Sequence, residues 1–317
     1  MGSVVISLDG ELGWGRHLNV PSGEYVADAR SCWYRLLERF DEFGVPATWA
    51  IVGHLFHSEC DERHEEHPAG ERCCTRAVDD TPAEQIWFGS ELVDAVRSAG
   101  VDHEIASHGY THWRFDHEGM TEAIAERELR RSIDAAGEID LSSFVFPVNR
   151  LKYRRLLAEY GFDCYRGPNP RHATESDFRR RATKIGDAFV RATPPPIVTP
   201  TVDEYGLVNV PASLYLSGFE GPLRSVAATV GRDPIVAKAK RGIDAAVGSD
   251  GVFHMWLHPH DLVAEHGTER MEPILEYLRD RVDATDLRIE TMNDVAARVN
   301  VGAGSEPSER VVVGDGP

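Results

Sequence analysis

Lysine is scarce in this sequence. Only four of the 34 basic residues are lysine, and the chain carries 52 Asp plus Glu, which gives a formal net charge of −18. A field of that sign repels phosphate backbones, so the composition excludes a general nucleic-acid-binding protein. An acid excess with little lysine also favours a halophilic protein, because molar salt screens the mutual repulsion of surface carboxylates.

Long apolar runs are also missing. The longest, such as residues 47–53, fall far short of the roughly 20 residues that span a bilayer, so we expect no membrane span. The chain shows no secretory signal before its first apolar run, and we therefore expect a cytoplasmic protein. The five cysteines do not form a disulfide framework. Cys32 and Cys164, which lie beside aromatic residues, are expected to be buried thiols.

No glycine-rich phosphate loop follows the first apolar strand, because Asp9-Gly10-Glu11-Leu12-Gly13 lacks the spacing of either nucleotide-binding motif. Short apolar runs alternate instead with amphipathic stretches about seven times, which predicts an α/β protein with a parallel sheet, and a barrel rather than an open sheet. The predicted strands are 4–8, 47–52, 104–107, 144–146, 162–165, 207–210, 252–257 and 287–290. The predicted helices are 24–43, 82–99, 121–136, 152–160, 232–247, 269–282 and 292–299.

Residues 1–300 are predicted to form a single domain. Residues 301–317, which follow it, are rich in Gly, Ser, Glu and Pro and are predicted to be a disordered tail. Within the domain, a polar insertion at about 54–80 departs from the alternation. It contains His54, His57, Cys60, His64, His67, Cys73 and Cys74. These spacings fit no standard zinc motif, so two interpretations stay open: a second, structural metal site, or a polar lid over a pocket.

Polar side chains follow three of the predicted strands. Asp9 and Glu11, at i and i+2 of an extended segment, project to one side. His108 and His112, at i and i+4 of one turn, are spaced to share a metal. His258 follows the apolar strand 252–257. Each group alone is compatible with a structural role, whether acids at a turn, a chance histidine pair or a rim histidine.

Together the three groups predict metal-assisted amide hydrolysis. One carboxylate and two histidines form a three-ligand site with open positions, as in a catalytic site for zinc or another divalent ion. A second carboxylate can accept a proton from water, and a further histidine can protonate a leaving amine. The barrel architecture places all of these groups at the carboxyl ends of strands, where barrel enzymes carry their active sites.

Three segments resemble the motifs of polysaccharide deacetylases, the NodB-homology group of carbohydrate esterases. They are 9–11 (Asp-Gly-Glu), 104–112 (Glu-Ile-Ala-Ser-His-Gly-Tyr-Thr-His) and 257–260 (Leu-His-Pro-His), in that order. The resemblance implies a distorted (β/α)7 barrel that removes acetyl groups from N-acetylated sugars with Zn²⁺ or another divalent ion. It also implies the individual roles: Asp9 as base, His258 as acid, and Glu11, His108 and His112 as metal ligands.

The sequence departs from the family pattern at two places. The family usually has two adjacent aspartates in the first motif, whereas Gly10 separates the acids here, so the roles of Asp9 and Glu11 could be exchanged. The family also places an arginine on the fourth strand to steady the base, and that position is Val145 here. Arg150 or Arg166 is expected to supply the charge instead, with Asn149 facing the substrate.

Aromatic residues near the predicted site could stack on a sugar ring, or could equally pack at the rim. These are Trp14, Tyr110 and Trp113. The sequence therefore predicts a metal-dependent N-deacetylase acting on a carbohydrate. A non-catalytic sugar-binding barrel and a C–N hydrolase of a small non-sugar amide stay open as alternatives, and the oligomeric state is left undetermined.

Overall fold

A computed structural model describes residues 1–16, 22–60, 64, 67, 73–78, 80–170, 194–217, 233–263 and 270–304 of the chain. The strands form one sheet. In chain order they are β1 Ser3–Gly10, β2 Thr48–Ile51, β3 Glu104–Ser107, β4 Ser143–Phe144, β5 Cys164–Tyr165, β6 Thr201–Val202, β7 Val208–Asn209, β8 Leu214–Tyr215, β9 Val252–Leu257 and β10 Arg288–Ile289.

The sheet curls into a distorted barrel of seven positions. Strands β1 to β5 lie side by side in parallel, and β9 pairs in parallel with the other edge of β1. One extended segment, 207–216, joins the two ends: its first half bonds to β5 (Val210 N to Tyr165 O, 3.0 Å) and its second half to β9 (Leu216 N to Trp256 O, 2.9 Å). The expected (β/α)7 barrel is confirmed, with β7 and β8 as two halves of one strand position.

Helices cover the outside of the sheet. Among the described residues they are α1 Gly23–Phe43, α2 Ala83–Trp87, α3 Ser90–Arg97, α4 Glu122–Ala136, α5 Arg154–Glu159, α6 Pro234–Ala246, α7 Glu272–Ala284 and α8 Met292–Gly304. Helix α1 begins at the N-cap Ser22, whose hydroxyl accepts the N–H of Tyr25, and ends at Gly44 in the left-handed region. Its residues Val26, Trp33 and Phe40 recur at helical spacing and are buried against the barrel.

The predicted helix 82–99 is two helices. The chain is extended at Phe88, and Gly89 has φ −165° and ψ 31°, which separates α2 from α3. The N–H of Gly89 donates to the carbonyl of Leu55 rather than to the preceding turn (3.1 Å). A contact to a segment more than 30 positions earlier in the chain therefore interrupts the helix, which local periodicity does not reveal.

The predicted tail begins inside a helix, because α8 extends to Gly304, and residues 305–317 lie outside the described part of the chain. The described helices include none that is both long and apolar enough to cross a membrane. The barrel interior and the helix–sheet interface are filled by buried aliphatic and aromatic side chains, including Trp33, Trp49 and Phe253. This core holds the carboxyl ends of the strands in fixed relation.

Candidate active site

Five of the predicted site residues converge at the carboxyl ends of three strands, β1, β3 and β9. Asp9 is the second-to-last residue of β1, and Glu11 directly follows that strand. His108 follows β3, with His112 four residues later, and His258 follows β9. All five side chains are buried or nearly so, His258 being the most exposed, with 17% of its side chain accessible. The strand order places β1 between β2 and β9, so β1 is central to the site.

Glu11, His108 and His112 form a compact donor set. Their ligand atoms lie within 4.8 Å of one another, and Glu11 Oε1 is 3.2 Å from His108 Nε2 and 3.1 Å from His112 Nε2. His108 Nδ1 donates to the carbonyl of Val145 (2.7 Å), which leaves its Nε2 with a lone pair facing the carboxylate. Burial opposes ionisation of Glu11, yet His112 and His258 lower its pKa well below the ordinary value. Lone-pair donors held this close fit a divalent cation.

Glu128 of α4 holds the loop between the two histidines. Its buried carboxylate accepts the backbone N–H groups of Tyr110 (3.1 Å) and Thr111 (2.9 Å) and the Thr111 hydroxyl (2.9 Å). Gly109 and His112 in this loop both have positive φ, 76° and 56°. The Glu128 carboxylate therefore stabilises a loop whose φ angles lie outside the strand and right-handed helix regions. This loop conformation directs the His112 side chain back towards Glu11.

Asp9 is bound by a buried arginine from the far side of the barrel. Arg166, which follows β5, donates to both carboxylate oxygens of Asp9 at 2.6 Å, and is fully buried. Burial alone would raise the pKa of Asp9, but the Arg166 guanidinium outweighs it, so the pKa lies below the ordinary value. Asp9 is thus kept ionised, with His258 Nε2 3.8 Å from its Oδ2.

A chain of hydrogen bonds orients Arg166 from behind. Its Nε donates to Asn149 Oδ1 (3.1 Å) and one terminal nitrogen to Ser7 Oγ (3.0 Å). Ser7 Oγ lies 2.8 Å from His254 Nε2, and His254 Nδ1 lies 3.3 Å from the carbonyl of Val210. A carbonyl only accepts, so Nδ1 carries the proton and Nε2 accepts from Ser7. This tautomer leaves a Ser7 lone pair free to receive the arginine.

His258 is oriented by the residues that follow it and by the 207–216 segment. Its Nδ1 lies 2.9 Å from Asp261 Oδ2 and 3.2 Å from the Tyr215 hydroxyl, which itself donates to Asp261 (2.9 Å). Nε2 points to the carboxylates, 3.5 Å from Glu11 Oε1. Burial would lower the pKa of His258, but Glu11 and Asp261 raise it well above the ordinary value. The two carboxylates therefore favour the protonated imidazole.

Gly10, which separates the two acids, has a packing reason. A Cβ there would lie 2.4 Å from the buried indole of Trp33 in α1. The close approach of α1 to β1 therefore excludes any side chain at this position, including a second aspartate directly after Asp9. The departure from the family's adjacent acids follows from how α1 packs on the sheet.

The three aromatic residues that were predicted to contact substrate are buried. Trp14 is fully buried, with its indole N–H donating to the carbonyl of Trp87 (2.9 Å), and Trp113 is 5% exposed. Tyr110 is also buried, 3% exposed, in the loop after His108. These three aromatic rings are buried rather than exposed to a sugar: His54 packs on Trp14 and Tyr110, and His67 packs on Trp113.

The polar residues predicted to contact substrate have different environments. Asn149 contacts Arg166, as described above, and so supports the arginine. Arg150 lies away from Asp9: its side chain is 63% exposed and pairs with Asp116 at 3.9 Å. Of the two arginines expected to replace the missing one, Arg166 is the one that reaches Asp9.

Several residues of the site were not predicted from the sequence. One of them, Asp261, could have been found from its position three residues after His258. Glu128, Tyr215 and the Ser7–His254 pair carried no comparable signal, because a single acid in an amphipathic helix, or a serine and a histidine inside apolar strands, looks like an ordinary structural residue. Only their contacts across the barrel reveal them.

Solved structures match this fold over nearly the whole chain. A Mycobacterium smegmatis protein assigned as a polysaccharide deacetylase superposes with a TM-score of 0.52 at 17% identity, covering 95% of this chain and 92% of its own. A Pseudomonas aeruginosa protein with the same assignment gives 0.59 at 15% identity, covering 94% and 91%. This chain has the polysaccharide deacetylase fold. The expected resemblance is confirmed at the level of the fold.

The polysaccharide deacetylase fold is shared with enzymes of other names. The allantoinase PuuE superposes with a TM-score of 0.61 at 14% identity, covering 94% of this chain and 90% of its own. No protein-family model and no curated protein sequence matches the chain. At these identities the similarity establishes the architecture, and the chemistry has to be argued from the site itself.

Proposed function

We propose that the protein is a metal-dependent hydrolase that removes the N-acetyl group from a carbohydrate. The observation that carries the proposal is the convergence of two buried carboxylates and three histidines at the carboxyl ends of β1, β3 and β9. Glu11, His108 and His112 offer three donor atoms within 4.8 Å of one another, with Asp9 and His258 beside them. Two groups are then left for proton transfer.

The donor set suits Zn²⁺ or a similar divalent ion. Two imidazoles and one carboxylate, with positions left open, are the donors of catalytic zinc in hydrolases. An ion held there would supply Lewis-acid polarisation of the amide carbonyl and lower the pKa of a bound water. His108 is already oriented for this role by the Val145 carbonyl, and His112 by the loop that Glu128 holds.

Asp9 is proposed as the proton acceptor. It is ionised, buried and held in one orientation by two hydrogen bonds from Arg166. A carboxylate fixed in this way can take the proton of the attacking water without first reorganising. Glu11 has its Oε1 directed at both histidines, so Asp9 is the acid whose proton affinity is available for this step.

His258 is proposed as the proton donor. Its protonated Nε2 faces the two carboxylates, while Asp261 and Tyr215 hold the other side of the ring. When the C–N bond of the acetamido group breaks, the departing amine needs a proton, and Nε2 is the group placed to give it. Asp9 thus accepts a proton from the attacking water, and His258 donates a proton to the departing amine.

Acetate release from N-acetylglucosamine oligomers by the zinc-loaded protein tests the proposal. We expect turnover in the wild-type protein and none in His258→Ala, and His108→Ala or His112→Ala should lose both the metal of this site and activity. His117→Ala is the matched control, since this histidine lies outside the donor set. Full metal occupancy in both His108→Ala and His112→Ala would contradict the proposed metal site.

A second candidate is a C–N hydrolase that acts on a small non-sugar amide. Two observations favour it: the structural similarity to an allantoinase, and the burial of Trp14 and Trp113, which leaves neither ring exposed to stack on a sugar. A panel of small cyclic amides, assayed beside the acetylated oligomers, separates the two. Turnover confined to the cyclic amides would replace the deacetylase proposal with this one.

The third possibility, a sugar-binding barrel without turnover, rested on the apolar Val145 at the position of the family's arginine. Arg166 occupies the space beside Asp9 from β5, so that reason no longer applies. The complete set of acid, base and donor residues supports catalysis instead.

A further inference from the structure

A second group of metal-binding side chains lies in the 54–80 insertion, outside the candidate active site. His54, Cys60, His64 and Cys74 each bring one donor atom, and all four atoms lie within 4.8 Å of one another. His54, His64 and Cys74 are buried, and Cys60 is half-buried. We propose that these four side chains form a structural zinc site, separate from the catalytic one.

The donor set itself points to zinc. Two thiols and two imidazoles are the ligands of closed, tetrahedral structural zinc sites. Zinc bonds of about 2.3 Å to sulfur and 2.0 Å to nitrogen hold the four donors roughly 3.3 to 3.8 Å apart. Cys60 Sγ and His64 Nε2 are already 3.8 Å apart, and no two donor atoms are more than 4.8 Å apart, so closing the cluster around an ion shortens its longest separation by about 1.5 Å at most.

His54 is oriented as a metal-binding histidine. Its Nδ1 lies 3.1 Å from the carbonyl of Trp87, which only accepts, so the proton resides on Nδ1 and Nε2 keeps its lone pair. Metal-bound histidines commonly donate their second ring N–H to a backbone carbonyl in this way. The main-chain N–H of His54 also donates to the carbonyl of Tyr110 (2.9 Å), which fixes its backbone.

The four positions are spread along the whole insertion. His54 lies in the short helical turn after β2, and Cys74 in another short turn next to α2, 20 positions later. Local spacing therefore gives no zinc motif, and the fold brings the donors together. An ion bound here would cross-link a polar segment that has little apolar surface of its own to bury.

The cluster adjoins the candidate active site through shared aromatic neighbours. The Trp14 ring, three positions after Glu11, packs on His54 (4.6 Å) and His64 (5.9 Å). Tyr110, in the loop between the two catalytic-site histidines, packs on His54 (5.6 Å). The zinc would thus support the wall that carries Glu11 and the 108–112 loop, which assigns the insertion a structural rather than a substrate-binding role.

A Cys60–Cys74 disulfide is the competing use of the two thiols. Neither cysteine forms a disulfide in the structure, and a disulfide would leave the two imidazoles beside them without a role. Thiol titration of the unreduced, denatured protein decides between them. We expect all five cysteines to react, and three reactive thiols with a disulfide between Cys60 and Cys74 would overturn the proposal.

Zinc stoichiometry of the purified protein tests the site directly. We expect about two zinc ions per chain in the wild type and about one in both Cys60→Ala/Cys74→Ala and His112→Ala. Cys32→Ala, which removes a buried thiol elsewhere, should keep both ions. An unchanged metal content in the double cysteine variant, or one ion in the wild type that only His112→Ala removes, would overturn the proposal.

Cobalt substitution gives a readout that needs no variant and no activity. Thiolate-bound Co²⁺ has an intense sulfur-to-metal charge-transfer band in the near ultraviolet, and the candidate active site offers no thiol. The wild type, His112→Ala and Cys32→Ala should show this band, and its absence from the wild type would overturn the proposal even if the double variant fails to fold. Failure of the deacetylase proposal is separable, because it removes acetate release and leaves the band unchanged.

Discussion

Arg166 and Asp9 form a buried, bidentate ion pair across the barrel, with both nitrogen–oxygen distances at 2.6 Å. The arginine comes from the end of β5 and the acid from β1, so the pair joins opposite walls of the ring. Val145, at the family's arginine position, contributes its carbonyl to His108 instead. The charge that steadies the proposed base is therefore present, from a different strand.

Breaking this pair should destabilise the fold. Arg166→Met leaves the Asp9 carboxylate buried without its partner, and we expect a loss of about 3–5 kcal/mol in the free energy of unfolding. Adding Asp9→Asn to Arg166→Met should recover a large part of that loss, because the uncompensated charge is gone. Urea unfolding of the two single variants and the double variant measures this coupling. Arg150→Met, at an exposed site, is the control, and additive effects of the two buried changes would contradict the pairing.

Neutralising Asp9 and neutralising Glu11 should have different effects on zinc binding and turnover. Asp9→Asn is expected to keep its zinc and to lose roughly 10²–10⁴-fold in turnover, the range for a lost general base. Glu11→Gln should lose zinc as well, because its oxygen faces both histidines. Zinc analysis and acetate release are measured on both proteins side by side. If Asp9→Asn loses the active-site zinc and Glu11→Gln keeps it, the two roles are exchanged.

Glu128 should control metal affinity without touching the metal. Its carboxylate accepts three hydrogen bonds from Tyr110 and Thr111, and Glu128→Gln replaces one acceptor oxygen by a donor. We expect zinc to bind about 10–100-fold more weakly, because the loop that orients His108 and His112 loses part of its support. Competition with a zinc chelator measures the change at the catalytic site. Glu126→Gln, two positions away and exposed, should behave like the wild type, and equal affinity in all three proteins would refute this role.

His254 should make the fold sensitive to mild acid. Burial, and then the Arg166 charge, lower the pKa of His254 to about 3. The unfolded chain binds a proton there near pH 6.5, so stability is fully present above that pH and is lost as the pH falls towards 3. The expected loss is about 2 kcal/mol between pH 7 and pH 5 from this group alone.

Urea unfolding at a series of pH values tests this expectation. His254→Gln keeps an acceptor for Ser7 and cannot be protonated, so its free energy of unfolding should fall less steeply over the same range. His103, whose pKa burial lowers to about 4, titrates in both proteins and sets the remaining slope. Identical slopes for wild type and variant would show that His254 does not contribute.

Salt should stabilise the protein if its −18 charge reflects a saline environment. Molar KCl screens the repulsion among surface carboxylates, so we expect the melting temperature to rise between low and molar salt. A neutral osmolyte at the same osmolarity controls for effects unrelated to charge. A melting temperature that is flat or falls in KCl would remove the halophilic interpretation.

Sequence patterns were sufficient to predict the alternation of strands and helices. They also predicted that Asp9, Glu11, His108, His112 and His258 lie at strand ends. Both depend on local periodicity, and the carboxyl ends of parallel strands meet at one rim whatever the details of packing. The break between α2 and α3 escaped this reasoning, because a hydrogen bond from Gly89 to the distant Leu55 produces it.

Which distant side chains complete the site depends on how the chain folds in three dimensions. Arg166 rather than Arg150 meets Asp9 because the curl of the ring brings β5 opposite β1, a distance that no spacing along the chain encodes. The same curvature lets the segment 207–216 bond to β5 and β9 in turn. The cysteines and histidines of the insertion likewise become neighbours only after folding, since cross-chain distances depend on how helices and loops pack, and sequence periodicity describes one element at a time.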